Sequence, residues 1–267
     1  VFVRTAVAAL VITLSAPVSP AASASPKARK MVELCGEFWP VDIAWIGVND
    51  SKCVDLSPIR KFTRLERLDI SLSGVTDLTP LSTVTTLKQL KASHTGIVKL
   101  EPLSKLVNLE ELDLTHTDVV DLKPLRTLRQ LKELKLESSK VRDIAALTVL
   151  KRLERVSLSD CRIKDITPLS ELRELRVVEL TAINITDAAP LAKLRRIEVL
   201  SLAQTRVASV DKLKNLKQLR RLNLSRTLVA VVSSLRKLPK LEWLDVSHTI
   251  VDPEDLKRFP KRVHIRK

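Results

Sequence analysis

The chain has 267 residues, 45% of them apolar, and a formal charge of +15, enough length for one large domain or two small ones. Aromatic residues make up only 3% and tyrosine is absent, which excludes an aromatic-packed core and leaves Leu, Val and Ile to fill the interior. The charge favours solubility and attraction to polyanions and says nothing about fold.

Residues 1–24 read as an export signal. Arg4 supplies the charged start, Ala6 to Leu14 (AVAALVITL) the apolar run, and Ala22-Ser23-Ala24 the small-residue cleavage site. The run is too short to span a bilayer, and Pro17 and Pro20 interrupt the chain beyond it. The expected location is therefore outside the cytoplasm, in a periplasm or beyond the cell, and no later segment has the sequence of a membrane anchor. Residues 25–42 (SPKARKMVELCGEFWPVD) are expected to form an N-terminal cap in which Leu34, Phe38 and Trp39 cover the next element. In an oxidising compartment Cys35 and Cys53 can be joined to staple that cap. The spacing equally suits Cys53 as a small buried hydrophobe, which leaves both readings open. Cys161 has no obvious partner, and the absence of CxxC gives no support for a metal site.

From Ile43 onward one unit returns every 22 residues, as in LEELDLTHTDVVDLKPLRTLRQ, with registers starting at Ile43, Leu65, Leu87, Leu109, Leu131, Leu153, Leu175, Ile197, Leu219 and Leu241. In the first nine units, positions 1, 4, 6, 11, 14, 17 and 20 are apolar without exception. One unit cannot bury seven such side chains alone, so neighbours must stack and share a continuous core. Positions 3 to 7 alternate inward and outward as a strand does. Six units carry Asp at position 13 (Asp55, Asp77, Asp121, Asp143, Asp165, Asp187), and all but one of them place Pro three residues later. Such an Asp caps a short helical turn whose first residues tolerate Pro, because no amide donor is missed there. A calcium ladder is the less economical reading, since bound calcium needs six or more oxygens.

The pattern LxxLxLxx(T/S)xVxDLxPLxxLxx resembles the leucine-rich repeat. Its 22-residue length is similar to the class containing bacterial internalins and the leucine-rich regulatory subunit of type 1 protein phosphatase. The resemblance covers residues 43–259. It implies an α/β solenoid, a leucine-rich repeat horseshoe with a parallel concave sheet and a 3₁₀ or extended convex side. Residues 43–240 would then be nine repeats. Residues 241–267 would form a tenth with a C-terminal cap, closed by a strand near Arg262 to Ile265. At position 9 the family carries Asn or Cys, whereas most units here carry Ser or Thr. These hydroxyls are expected to bond the backbone of the next coil, and Ile183 predicts a weak point in repeat seven.

What faces outward is the candidate for function. Position 2 alternates in sign through nine units, Glu66, Lys88, Glu110, Lys132, Glu154, Arg176, Glu198, Arg220, Glu242, which predicts an ion-pair ladder that fixes the stacking register. The concave face, positions 3, 5 and 7, carries Arg67, Lys91, Lys135, Arg155 and Arg221 against Asp69, Glu111, Asp113, Glu133, Glu137, Glu179 and Asp245. So balanced a surface does not suit a nucleic-acid groove, which needs a basic stripe. Trp45 and Trp243 occupy position 3 of the first and last units, as binding anchors or as covers for end strands. The excess charge lies on positions 18–22, where Arg195, Arg196, Arg236, Lys237 and Lys240 are the clearest candidates for a polyanion such as an anionic lipid, cell-wall polymer or nucleic acid. His94 and His116 share position 8 near Asp118, but two His without a third ligand make a poor metal site. No GxSxG, HExxH or Gly-rich phosphate loop occurs. The expectation is a non-catalytic scaffold without a cofactor that binds a protein on its concave face. The alternative is adhesion to a polyanionic surface through the basic edge, and the oligomeric state stays open.

Overall fold

The computed structural model describes residues 29–267; the export signal predicted for residues 1–24 lies outside them. The described chain opens with an antiparallel hairpin, β1 (Met31–Leu34) and β2 (Glu37–Pro40). Cys35 and Gly36 link the two strands with φ of 54° and 82°, the pair of positive values that the tightest hairpin turns require. Val32 and Leu34 enter the core, and Trp39, paired with Val32 in register, packs beside them. Phe38 does not cover the first coil as expected. It pairs with Glu33 on the opposite face of the hairpin and is 66% exposed. A disulfide joins Cys35 to Cys53 and ties the hairpin to the first coil.

Ten three-residue strands follow, β3 (Trp45–Gly47) to β12 (Trp243–Asp245), one at positions 3–5 of every unit. With β13 (His264–Arg266) they form one parallel sheet of 11 strands in sequence order. Through the repeats each residue lies beside the residue 22 places on, as Glu111 beside Glu133 and Glu133 beside Arg155. Outside the strands proper the ladder continues. The position 6 amide donates to the position 5 carbonyl of the next coil (Ile70 to Lys91, 2.8 Å), and the position 8 amide to position 7 (His94 to Thr115, 2.8 Å). To keep that bond while leaving the strand, position 8 adopts the left-handed region in eight successive coils, from Leu72 (φ 62°) to Arg226 (φ 56°), and His248 (φ 57°) keeps the same turn in the tenth coil. Each costs on the order of 1–2 kcal/mol, which the inter-coil bond and the core beneath it must offset.

The core is the repeat pattern made solid. All seven apolar positions of the first nine units are buried except Ile43, which is half-buried because only the hairpin lies beneath it. After each strand and its turn the chain runs back through a five-residue 3₁₀ helix at positions 15–19, from Ser57–Lys61 in the first coil to Ser233–Lys237 in the ninth. All six Asp at position 13 accept from the amide two residues on, at 2.7–2.9 Å. The side-chain and backbone donors of Ser57, Thr79 and Thr167 hold the carboxyls of Asp55, Asp77 and Asp165 below the ordinary value. In the tenth unit an α-helix, α1 (Pro253–Lys257), replaces the 3₁₀ turn, and Asp252 caps it through the Glu254 amide at 2.9 Å.

The hydroxyls at position 9 act differently from the expectation. Ser73, Thr95, Thr117, Thr205, Thr227 and Thr249 donate to the position 6 carbonyl of their own coil at 2.6–2.7 Å. The hydroxyl has a single proton to donate, and the carbonyl three residues back in its own coil takes it. The contact between coils falls to Cys161, whose Sγ donates to the Leu136 carbonyl at 3.0 Å and lies 3.3 Å from Ser139 Oγ. Burial pushes this thiol above its ordinary value. At Ile183 the side chain is buried and supplies no such bond.

The alternating charges of position 2 form pairs rather than an unbroken ladder. Lys88 meets Glu66 at 3.0 Å, Lys132 meets Glu110 at 2.6 Å, and Arg220 meets Glu242 at 3.1 Å. Only Arg176 bridges two neighbours, Glu154 at 3.9 Å and Glu198 at 2.8 Å. These side chains are well exposed, so each link is worth only about 0.2–1 kcal/mol. Lys132→Glu sets the new acid between Glu110 and Glu154 and is expected to lower the melting temperature by about 2–4 °C at low ionic strength. Calorimetry in low salt and in roughly 1 M salt checks it, because screening should erase most of the difference; equal melting temperatures in low salt would mean that the pairs contribute no stability.

Candidate concave interface

The strands turn positions 3 and 5 to the concave surface, and the side chains there fall into three zones. At the N-terminal edge Trp45 is 47% exposed. Its indole lies over Gly47 so closely that a Cβ there would come within 2.8 Å of the ring, so the glycine is what lets the ring lie flat. Arg67 and Lys91 next to it have no ion-pair partner among the described residues, and the Asp69 carboxylate accepts from the Ser71 amide at 3.0 Å.

The central zone is polar and largely satisfied by itself. Glu111 accepts from Gln89 Nε2 at 2.5 Å, and Asp113 accepts from the Thr115 amide at 3.0 Å. Glu133 binds both Lys135 Nζ at 3.2 Å and Arg155 Nε at 2.5 Å, with its own side chain only 17% exposed. Burial pushes the Glu133 carboxyl up, but Arg155 and Lys135 outweigh it and the group sits below its ordinary value. Burial likewise lowers Lys135, yet Glu133, with Asp113 and Glu137, holds it above. Glu179 accepts from Ser157 Oγ at 3.4 Å. Two shallow depressions meet over this trio, both lined by Glu133 and Lys135.

The C-terminal zone changes character. Val177, Val199, Arg221 and Trp243 succeed one another at position 3 of coils seven to ten, each beside the next in register. The Arg221 guanidinium sits 5.4 Å from the centre of the Trp243 ring, a cation–π contact. Trp243 does not cover an end strand, since His264 of β13 lies on its other side. Sequence reasoning named Arg221 and Trp243 and missed Val177 and Val199, because apolar residues at an outward position look like lapses in a pattern.

The basic edge is less free than its composition suggests. Arg196 pairs with Glu174 and Arg236 with Asp255 of α1, while Lys240 Nζ donates to Gln218 Oε1 at 2.6 Å. Arg195 and Lys237 are exposed and have no ion-pair partner among the described residues. His94 and His116 stack with ring centres 4.3 Å apart. They hold the left-handed position 8, and among the described residues no group of three His, Cys, Asp or Glu is placed to hold a metal.

No protein-family model and no curated protein matches the sequence. Solved structures do. An internalin of Listeria monocytogenes superposes with a TM-score of 0.76 at 23% identity over 80% of this chain, which spans 64% of that one, less than two thirds of its length. Internalin C2 of the same organism gives a TM-score of 0.67 at 28% identity, over 68% of this chain and 81% of its own. The leucine-rich repeat ectodomain of a plant membrane receptor kinase from Arabidopsis thaliana, in complex with Casparian strip integrity factor 2, gives 0.63 at 20% identity over 73% of this chain and 26% of its own. Repeat length, parallel sheet, 3₁₀ returns and these neighbours agree: the chain has the leucine-rich repeat fold and resembles the bacterial internalins in it.

Proposed function

We propose that the chain is an exported, non-catalytic scaffold that binds a protein partner on its concave face, anchored at the strip Val177, Val199, Arg221 and Trp243. The strip itself carries the reading. It joins two aliphatic side chains to a stacked Arg and Trp, the residue types richest in binding energy, beside charges that already satisfy one another. The central network of Glu133, Lys135 and Arg155 then orients the partner through polar contacts at little cost in desolvation. Export is supported by the apolar run near the N-terminus and by the disulfide, which persists in oxidising compartments. A binding role matches the receptor ectodomain seen with its own bound factor.

Affinity capture from the producing cell's extract and medium, followed by titration of the captured protein, tests the reading. Trp243→Ala combined with Val199→Asp is expected to weaken that binding by about 30-fold or more, the effect of losing one hot-spot residue. Glu66→Gln, at the solenoid edge, is expected to change it less than about twofold. Equal binding by the wild type and the strip variant would remove the concave strip from the function.

A further inference from the structure

We infer that a second surface, the cationic stripe at position 21, binds a linear anionic polysaccharide lying along the solenoid axis. Position 21 is basic in five consecutive coils, Arg129, Lys151, Arg173, Arg195 and Lys217, all exposed. In four of them the backbone makes the same turn, with the position 21 amide donating to the position 19 carbonyl at 2.9–3.1 Å, so these side chains leave the coil from equivalent places. Val107 in coil three and Pro239 in coil nine end the stripe. At the spacing of parallel strands it runs about 19 Å.

Hydrogen-bond accounting separates this stripe from the rest of the basic edge. Arg196, Arg236 and Lys240 are held by Glu174, Asp255 and Gln218, and Arg152 by Gln130. Within the stripe only Lys151 meets a carboxylate, that of Glu171 at 3.3 Å. Arg173 donates to the Lys193 carbonyl at 3.2 Å and keeps its charge. Arg129, Arg195 and Lys217 have no ion-pair partner among the described residues. Four uncompensated cations in a line attract a polymer of repeated anionic groups and gain by releasing its counterions. The class of polymer is set by a missing residue type. Phe, Tyr and Trp do not occur between Phe62 and Trp243, so the stripe has no aromatic ring beside it for a base to stack on, the platform that single-stranded nucleic acid binding proteins combine with a basic groove. Charge without stacking suits sulfated, phosphorylated or carboxylated sugars.

The test uses heparin as the sulfated probe and an oligothymidylate of matched charge as the comparison, titrated from roughly 50 to 200 mM salt. Heparin is expected to bind more tightly than the oligonucleotide. Alanine at Arg129, Arg173, Arg195 and Lys217 together should weaken heparin at least about tenfold and flatten the salt dependence by about one unit of slope per cation removed. Lysine in place of the three arginines keeps the charge and should retain binding within about threefold, which separates lost charge from damaged fold. Arg196→Gln with Lys240→Gln, and separately Trp243→Ala, should leave heparin binding unchanged, the last keeping this surface distinct from the concave strip. No heparin binding at low salt, full binding by the alanine variant, or equal loss in the Arg196 and Lys240 variant would each overturn the stripe. Tighter binding of the oligothymidylate would overturn the polysaccharide.

Discussion

Leu134→Ala should destabilise the protein by about 3–5 kcal/mol, the range for a fully buried leucine whose surroundings cannot collapse. Leu134 lies at position 4 of the fifth coil with no exposed surface. It packs in register between Leu112 and Val156. Collapse is blocked because the strands on both sides are pinned by backbone bonds at fixed spacing. A solenoid also holds together only through contacts between neighbours, so a void at the centre weakens the link between its two halves. Val251, already at the margin of the core near the C-terminal end, should lose far less when shortened to Ala. Guanidinium unfolding of both variants measures the difference. A loss below about 1 kcal/mol at Leu134 would mean that its side chain is not shared between coils.

Breaking the Cys35–Cys53 bridge is the other large effect. The two residues are 18 apart, and closing a loop of that length removes about 3 kcal/mol of chain entropy from the unfolded state. The bridge holds the hairpin that covers Leu34 and the half-buried Ile43, so its loss lets the N-terminal end fray before the rest. Cys35→Ser with Cys53→Ala should therefore lower the melting temperature by roughly 6–12 °C. A reducing agent should do the same to the wild type and nothing further to the variant. Identical melting with and without reductant would show that the bridge contributes no stability.

The architecture was legible because it rests on side-chain burial repeated in register. Apolar residues at seven fixed positions admit one arrangement, and Asp at position 13 with Pro three residues later marks the start of five of the nine 3₁₀ turns. Other features had no such signal. The left-handed turn at position 8 is invisible because Leu72, His94, Ser138, Asp160 and Arg226 have no side-chain chemistry in common; the backbone bond to the next coil imposes the conformation. The inward bonding of the position 9 hydroxyls depends on the distance to a carbonyl, which composition does not encode. Phe38 is large and apolar and suits a core by composition, yet strand alternation gives that face to Val32, Leu34 and Trp39.

The candidate site shows the same division. Position 3 and position 5 residues could be assigned to the concave face from period alone. Which of them remain free could not. Glu133 is occupied by two cations, while Arg221 rests on Trp243 and extends a strip begun by two valines. On the basic edge, Arg196 and Arg236 looked available in sequence and are committed to Glu174 and Asp255. Pairing of this kind depends on side-chain reach between coils, and the charge count alone carries no trace of it.

Residue-resolved hydrogen exchange tests the shared core most directly. A core continuous through the stack predicts slow exchange at the position 6 and position 8 amides in every coil from two to nine, recurring every 22 residues and deepest at the centre. Exchange should be fast at the exposed positions 12 and 13, whose amides make no backbone bond in those coils. Protection that ignores the 22-residue period, or that is continuous over helical stretches of several turns, would contradict it.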